Sequence, residues 1–177
     1  MRYWLFVFVL FISASSCKKD EEPEPEVVET TPAPTALSYE FKSQNLQGKI
    51  EGKEWRFIAG AAKNHSFGDS TKFSINLYTE TDSNICRIFP DEDRVLFSIP
   101  KKEEIFELNL SFSATEDSHT ITLFDVEATN NLIASEGAVQ VVKIDSTSGS
   151  PTVELKIDAR YNEDNFINGT CKVSICN

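Results

Sequence analysis

The sequence has few of the side chains on which catalytic sites depend. Its 177 residues include only two histidines, His65 and His119. It contains neither the GxSxG elbow of serine hydrolases nor the HExxH motif of zinc proteases. His65 is close to Ser66 and Asp69 in sequence, but a catalytic triad is assembled from separated positions. We therefore predict no catalytic residues and no enzymatic activity.

Metal ligands are equally sparse. The four cysteines form no CxxC pair and no histidine pair accompanies them, so we predict no metal site and no cofactor. Two acidic loops, residues 90–93 and 162–165, offer oxygen atoms of the kind that Ca²⁺ binds, but without EF-hand spacing. We interpret both loops as solvated turns, with calcium binding as the alternative.

Basic residues are outnumbered by acidic ones. The chain has 17 Lys and Arg against 28 Asp and Glu, for a formal net charge of −11. Nucleic-acid binding requires a basic face, and docking on anionic lipid requires a polybasic segment. We therefore predict no nucleic-acid partner and no electrostatic attachment to a membrane.

No apolar run is long enough to cross a membrane as a helix, which takes about 20 residues. The main run, residues 3–12, follows Arg2 and leads through small residues to Cys17. A short positive region, an apolar region and small residues are the three parts of a secretory signal peptide. We predict that residues 1–16 are such a signal.

The residues around Cys17 resemble a bacterial lipoprotein signal. Ser15 and Ser16 match its small-residue positions, whereas Ala14 stands where the pattern usually has leucine. The resemblance implies that Cys17 becomes the new N-terminus and carries acyl chains such as palmitate. Two chains give stable anchoring, whereas one is marginal. The alternative is an ordinary cleaved signal with an incidental cysteine.

Residues 18–22, Lys-Lys-Asp-Glu-Glu, resemble the export tract of surface lipoproteins in Bacteroidota-type Gram-negative bacteria. The resemblance implies an outer-membrane lipoprotein that faces the cell exterior; a periplasm-facing lipoprotein is the alternative. Residues 17–36 are rich in Asp, Glu and Pro and have almost no bulky apolar side chains. Such a composition cannot bury enough surface to fold, so we predict a disordered tether.

Residues 37–177 are predicted to form one β-rich globular domain. Apolar and polar residues alternate with the period of strands, and no segment has a helical period over ten residues. We predict an all-β domain of about nine strands, either a single antiparallel β-sandwich or a partly closed barrel, with a short helical turn at 36–43. The predicted strands are 46–51, 54–62, 72–77, 95–99, 106–112, 119–124, 138–144, 153–161 and 170–176.

Three cysteines lie in this domain, so one is left without a partner if a disulfide forms. In the last predicted strand Cys171 shares the apolar face with Val173 and Ile175, whereas Cys176 points the other way. This parity favours a disulfide between Cys86 and Cys176. A Cys86–Cys171 bridge and a domain without a bridge are the alternatives.

Trp55 and Phe57 alternate with charged residues and are interpreted as core, with carbohydrate stacking as the alternative. Two tripeptides resemble the Asp-Ser/Thr-X motif for O-glycosylation in the same bacterial group. They are Asp69-Ser70-Thr71 and Asp145-Ser146-Thr147, and the resemblance implies glycans on Ser70 and Ser146.

Several longer segments resemble small Bacteroidota-type surface lipoproteins with β-rich domains. They include residues 48–55, which read G-x-I-x-G-x-x-W, residues 95–100, 122–125 and 136–139, and the terminal Cys176. Cys171 stands where that pattern has a bulky aromatic residue, which supports Cys176 as the bridging thiol. The resemblance implies a surface domain and no particular activity.

These observations together predict a lipid-anchored cell-surface binding module, monomeric, whose ligand is a protein or glycan. One alternative is an accessory lipoprotein that captures a nutrient or small ligand for an outer-membrane transporter. Another is a hydrolase that uses paired carboxylates.

Overall fold

The computed structural model describes residues 39–64, 71–81, 85–87, 91–112, 118–147 and 149–176. All of them belong to the compact unit Ala36–Asn177. The predicted signal peptide, Cys17, the predicted tether, His65 and Ser70 lie outside the described residues.

The described part of the domain consists of strands and contains no helix, so the all-β prediction is confirmed. Residues 39–43 of the predicted helical turn are not helical, and that prediction is wrong there. The strands are β1 (Gln47–Ile50), β2 (Lys53–Arg56), β3 (Ala59–Asn64), β4 (Lys72–Tyr78), β5 (Arg94–Pro100), β6 (Ile105–Glu107), β7 (Ile121–Asp125), β8 (Asn130–Ala134), β9 (Glu136–Asp145), β10 (Thr152–Asn162) and β11 (Asn165–Cys176).

Nine strands form one sheet in the order β6-β9-β10-β11-β3-β4-β5-β7-β8, which curls into a half-barrel. Strand β1 pairs with β11 and β2, so the β1–β2 hairpin branches from this path. The sheet is mixed because β3 runs parallel to the end of β11, with Ser174 opposite Ala61. An entirely antiparallel sheet was therefore a wrong prediction at this one pair. Strands β3 and β11 are far apart in the chain, so no tight hairpin forces them to run antiparallel.

One strand prediction fails where backbone partners change, and one strand was not predicted. The predicted strand 54–62 is divided into β2 and β3 at Phe57 and Ile58. The N–H of Phe57 donates to the carbonyl of Leu46, whereas the N–H of Ile58 donates to the carbonyl of Tyr78. Strand β8, which begins with two asparagines, was not among the predicted strands.

The predicted strand 106–112 is also shorter than expected. Strand β6 ends at Glu107, and Leu108 is still buried in the core. The two apolar side chains after it leave the core: Leu110 is 49% exposed and Phe112 is 93% exposed. Alternation alone does not show that an apolar side chain finds a partner across the sheet.

The inner face of the half-barrel holds one continuous hydrophobic core. Adjacent strands align their apolar residues, as where Leu155 of β10 lies opposite Val141 of β9 and Cys171 of β11. Trp55 is 2% exposed, and its indole N–H donates to the carbonyl of Asp93 at 3.1 Å. Trp55 is therefore a core residue, as interpreted. The carbohydrate-stacking alternative does not apply to this side chain.

A disulfide joins Cys86 to Cys176, with Cα atoms 5.5 Å apart and a sequence separation of 90 residues. It is the pairing that strand parity favoured. Cys171 lies on the inner face, buried and free. Burial raises the pKa of its thiol to about 12. The disulfide thus attaches the loop after β4 to the outer side of the last strand.

Candidate functional site

The most unusual feature of the outer face is a pair of buried polar side chains. Asp158 on β10 and Asn168 on β11 are 2% and 7% exposed, although both lie on the polar side of their strands. Residues 39–45, hereafter the entrance segment, cross the sheet above them. The N–H of Glu40 donates to Asp158 Oδ2 at 2.9 Å, and the N–H of Lys42 donates to Asn168 Oδ1 at 2.9 Å.

The remaining bonds fix the entrance segment along β11. The side-chain amide of Asn168 donates to the carbonyl of Glu40 at 2.8 Å. The backbone N–H and the hydroxyl of Thr170 both donate to the carbonyl of Gln44. Between these residues Gly169 has φ 138°, and a Cβ there would lie 2.7 Å from the Gln44 carbonyl oxygen. Only glycine permits this approach, so the chain enters the domain at a fixed place.

A groove of about 260 Å³ lies beside the entrance segment, and we call it the cationic groove. The entrance segment forms one wall, and the β1–β2 hairpin with β11 forms the rest. Its lining residues are Lys42, Gln44, Gln47, Gly48, Lys49, Glu54, Arg56 and Phe166.

Strand register explains why these side chains meet. On the outer side of the hairpin, Gln47 lies opposite Arg56, and Lys49 lies opposite Glu54. Across the other edge of β1, Lys49 also lies opposite Phe166 of β11. Residues directly opposite each other share one face of the sheet. The pairing therefore places the two cations and the aromatic ring on one surface.

Gly48 forms the floor of the cationic groove. A Cβ at this position would lie 1.8 Å from the carbonyl oxygen of Phe166, so β1 approaches β11 more closely than any other residue would allow. Both neighbours of β1 are hydrogen-bonded strands. The backbone of the floor is consequently occupied, and only side chains face a ligand.

Charge distinguishes this groove from the rest of an acidic protein. Lys42, Lys49 and Arg56 line it, and Glu54 is the single acid among the lining residues. Among the residues that the structure describes, the ion pairs involve Lys53, Arg160 and Lys172, and none involves the three groove cations.

In a second opening, the charge of a lysine is paired with carboxylates. This cleft of about 470 Å³ includes Lys53, whose ammonium lies 2.5 Å from Glu127 and 3.9 Å from Asp125. A hydrogen bond with Glu127 raises the pKa of Lys53. Asp93 Oδ1 in turn accepts the N–H of Val126. These carboxylates hold the loops of the domain together.

The described part of the structure has two further openings. A cleft of about 480 Å³ across β9, β10 and β11 contains the Glu154–Lys172 ion pair at 2.8 Å and reaches the core residues Leu155 and Cys171. A groove of about 330 Å³ over β4, β5 and β7 is lined mainly by uncharged hydroxyl and amide side chains.

The described parts of the acidic loops have structural roles. Asn162 Oδ1 accepts the N–H of Asp164 and the side-chain amide of Asn165, which closes the β10–β11 turn. Glu92 Oε2 accepts both the N–H and the hydroxyl of Thr79. Among the described residues no group of three or more His, Cys, Asp or Glu side chains is arranged to hold a metal ion.

Of the predicted modification residues Cys17, Ser70 and Ser146, the structure describes Ser146. Ser146 is exposed in the turn between β9 and β10, where Asp145 Oδ1 accepts the N–H and the hydroxyl of Thr147. His119 packs its ring against Phe106, with centroids 5.4 Å apart.

The cationic groove is not evident from the sequence. Lys49 and Arg56 lie in the predicted strands 46–51 and 54–62, where a charged residue is also typical of an ordinary solvated strand. Lys42 joins them only because the entrance segment folds back onto β11, a contact over 126 residues in sequence.

Comparison with family models, curated proteins and solved structures gives no match for this chain. Within the described residues, no helix has the length and apolarity required to cross a membrane.

Proposed function

We propose that this protein is a lipid-anchored cell-surface binding module that presents the cationic groove to its ligand. The observation that carries the proposal is three cations in one groove, without ion-pair partners among the described residues, in a chain of net charge −11. Unpaired like charges repel one another, so a folded protein gains by binding an anion there.

The fixed entrance segment supports the same proposal. Acylation of Cys17 would connect the domain to the outer membrane through residues 18–38, and the entrance segment starts directly after them. Because the bonds from Asp158 and Asn168 hold this segment on the sheet, the chain that leads to the anchor would leave the domain beside the groove.

The filled interior favours a surface ligand over an enclosed one. An accessory role in small-ligand capture calls for a cavity in the mouth of the barrel. The inner face of the described sheet is instead packed with apolar side chains. The proposal assigns no reaction to the protein, and it treats the domain as a monomer.

Protease shaving of intact cells tests the location. An antibody against the β-domain follows its loss, and a periplasmic protein serves as the control. Loss of the domain while the control survives is the expected result. Protection of both would place the domain in the periplasm and overturn the surface proposal. A Cys17→Ala variant that still fractionates with membranes would overturn the lipid anchor.

The two serine modifications belong to the same proposal. Ser146 is accessible in its turn, and glycosylation there or at Ser70 would add mass to the mature protein. Intact-mass measurement of the native protein and of a Ser70→Ala/Ser146→Ala variant tests this. If the measured mass exceeds the mass expected from the sequence by the same amount in the native protein and in the variant, neither serine is glycosylated and both sites leave the proposal.

A further inference from the structure

We propose that the cationic groove binds an acidic polysaccharide, with its carboxylate or sulfate groups on Lys42, Lys49 and Arg56. This inference rests on the proposed surface-binding function and names the class of ligand. The cations come from three separate elements: the entrance segment, β1 and β2. Their convergence in one groove is a product of the fold.

The chemistry of the cations fits carboxylate and sulfate groups. Arginine presents a planar fork of donors that binds such oxyanions through two bonds, and lysine supplies a compact charge. Lys42 and Arg56 are exposed and Lys49 is half-buried, so all three can reach a ligand without desolvation of a deeply buried charge. The single acid, Glu54, leaves the groove with an excess of positive charge.

The neutral side chains fit a sugar. Gln44 and Gln47 line the groove and carry amides that can exchange hydrogen bonds with hydroxyl groups. Phe166 is half-buried and lies opposite Lys49. The face of an aromatic ring carries partial negative charge, and it therefore packs against the C–H groups on one face of a sugar ring.

The backbone of β1 offers no docking site for an extended acidic peptide. Peptides that add to a sheet obtain affinity from free main-chain groups at an edge. Strand β1 has hydrogen-bonded neighbours on both sides, so ligand recognition on β1 depends on side chains, as it does for a carbohydrate. Among the described strands β2 pairs with β1 alone, and the polyglutamate probe below tests whether a peptide uses its other edge.

The groove has room for part of a polymer. Small-molecule sites measure roughly 300–1,000 Å³. The cationic groove is about 260 Å³ and lies on the outer surface. A bound sugar unit there leaves the rest of a longer chain free to extend over the surface.

Binding of defined polymers to the acylated full chain in detergent micelles tests the proposal. The probes are polygalacturonic acid, dextran sulfate, neutral dextran and polyglutamate, each at about 50 and 500 mM salt. We expect binding of polygalacturonic acid or dextran sulfate at low salt, weakening at high salt as the charges are screened. Neutral dextran is expected not to bind. Carboxylate or sulfate preference is read from the first two probes.

Matched variants separate the groove from general charge. The Lys42→Gln/Lys49→Gln/Arg56→Gln variant is expected to lose about tenfold or more in affinity, since it removes every charged donor of the groove. The control variant, Lys72→Gln/Lys102→Gln/Lys143→Gln, removes three positive charges outside the groove. It is expected to change affinity less than about twofold, because separated charges are screened. Phe166→Leu retains apolar packing and is expected to weaken binding severalfold.

Three results would overturn the proposal. One is equal loss of affinity in the groove variant and the control variant. Another is polyglutamate binding that matches the polysaccharides and depends on the same residues, which would identify an acidic peptide as the ligand. The third is no polyanion binding at low salt. If protease removes the domain from intact cells and polyanions do not bind, only this inference fails. If the domain is protected from protease, the surface location is refuted, whatever the domain binds.

Discussion

The two faces of the β9–β10–β11 sheet are built in different ways. The inner face joins residues on adjacent strands of a meander, such as Val153 opposite Val173. The outer face is covered by segments from elsewhere in the chain. The entrance segment reaches Asn168 over 126 residues, and Cys86 reaches Cys176 over 90.

This difference explains which buried residues a sequence reveals. The burial of an apolar residue on a strand can be predicted from the local sequence, because alternation with polar residues places it on the core side. A polar residue such as Asn168 is buried only if another segment arrives to bond it. Since a buried polar group without a partner costs free energy, the covering segment and the polar residue are needed together. The outer face therefore depends on long-range contacts.

The largest effect is expected from removal of the outer-face disulfide. A Cys86→Ser/Cys176→Ser variant loses a cross-link with a sequence separation of 90 residues. The chain-entropy relation for such a loop gives a loss of about 4–5 kcal/mol in the free energy of unfolding. Denaturant titration measures it, with reduced wild-type protein as the control. A loss under about 1 kcal/mol would mean that the bridge does not secure this face.

The inner face is tested at Ile157, which is fully buried on β10. Ile157→Ala is expected to lower the free energy of unfolding by about 2–5 kcal/mol, because it leaves a cavity in the core. Lys156→Ala changes the neighbouring outer position and is expected to stay within about 0.5 kcal/mol. Both values come from denaturant titration. Equal effects would contradict the assignment of the two faces.

The entrance segment is tested at Asn168. Asn168→Ala removes one donor and one acceptor that bond the entrance segment, and we expect a loss of about 1–3 kcal/mol. Asn168→Asp keeps the acceptor for the Lys42 N–H but opposes the Glu40 carbonyl. Hydrogen exchange should accelerate at Lys42 in both variants and remain slow in β10. Unchanged exchange at Lys42 would show that Asn168 does not hold the segment.

The smallest effect is expected at Cys171, which is buried and free on the inner face of β11. Cys176, on the outer face of the same strand, is in the disulfide. The pKa of Cys171 is raised from 9.0 to about 12 by burial. The folded state therefore keeps its proton while the unfolded state ionises, so stability is complete below pH 9 and falls between pH 9 and 12. At pH 10 the expected loss is about 1.4 kcal/mol.

Denaturant titration at pH 8 and pH 10 measures this loss, and a Cys171→Ala variant is the comparison because it lacks the thiol. The variant should show a smaller decrease between the two pH values. A thiol reagent at pH 8 should also react with the native wild-type protein only after unfolding. Rapid reaction of the native protein would contradict the burial of Cys171.

The fold class and much of the inner face could be predicted, since both follow from alternation in single strands. Val153, Leu155 and Ile157 alternate with polar residues, and all three are in the core. The division at Phe57 and Ile58 could not be predicted because it depends on which carbonyl each N–H meets. Phe112 could not be predicted for another reason: it lies in an alternating segment, yet its side chain is exposed.

The sequence by itself determined an all-β domain, the inward side of its main strands and the cysteine parity that favoured the observed disulfide. These are local properties, because the pleat of a strand fixes the side to which each residue points. The tertiary structure alone decided the parallel pairing of β3 with β11, the burial of Asp158 and Asn168, and the convergence of Lys42, Lys49 and Arg56. Each of these requires segments far apart in the chain to meet, and no local pattern specifies their partner.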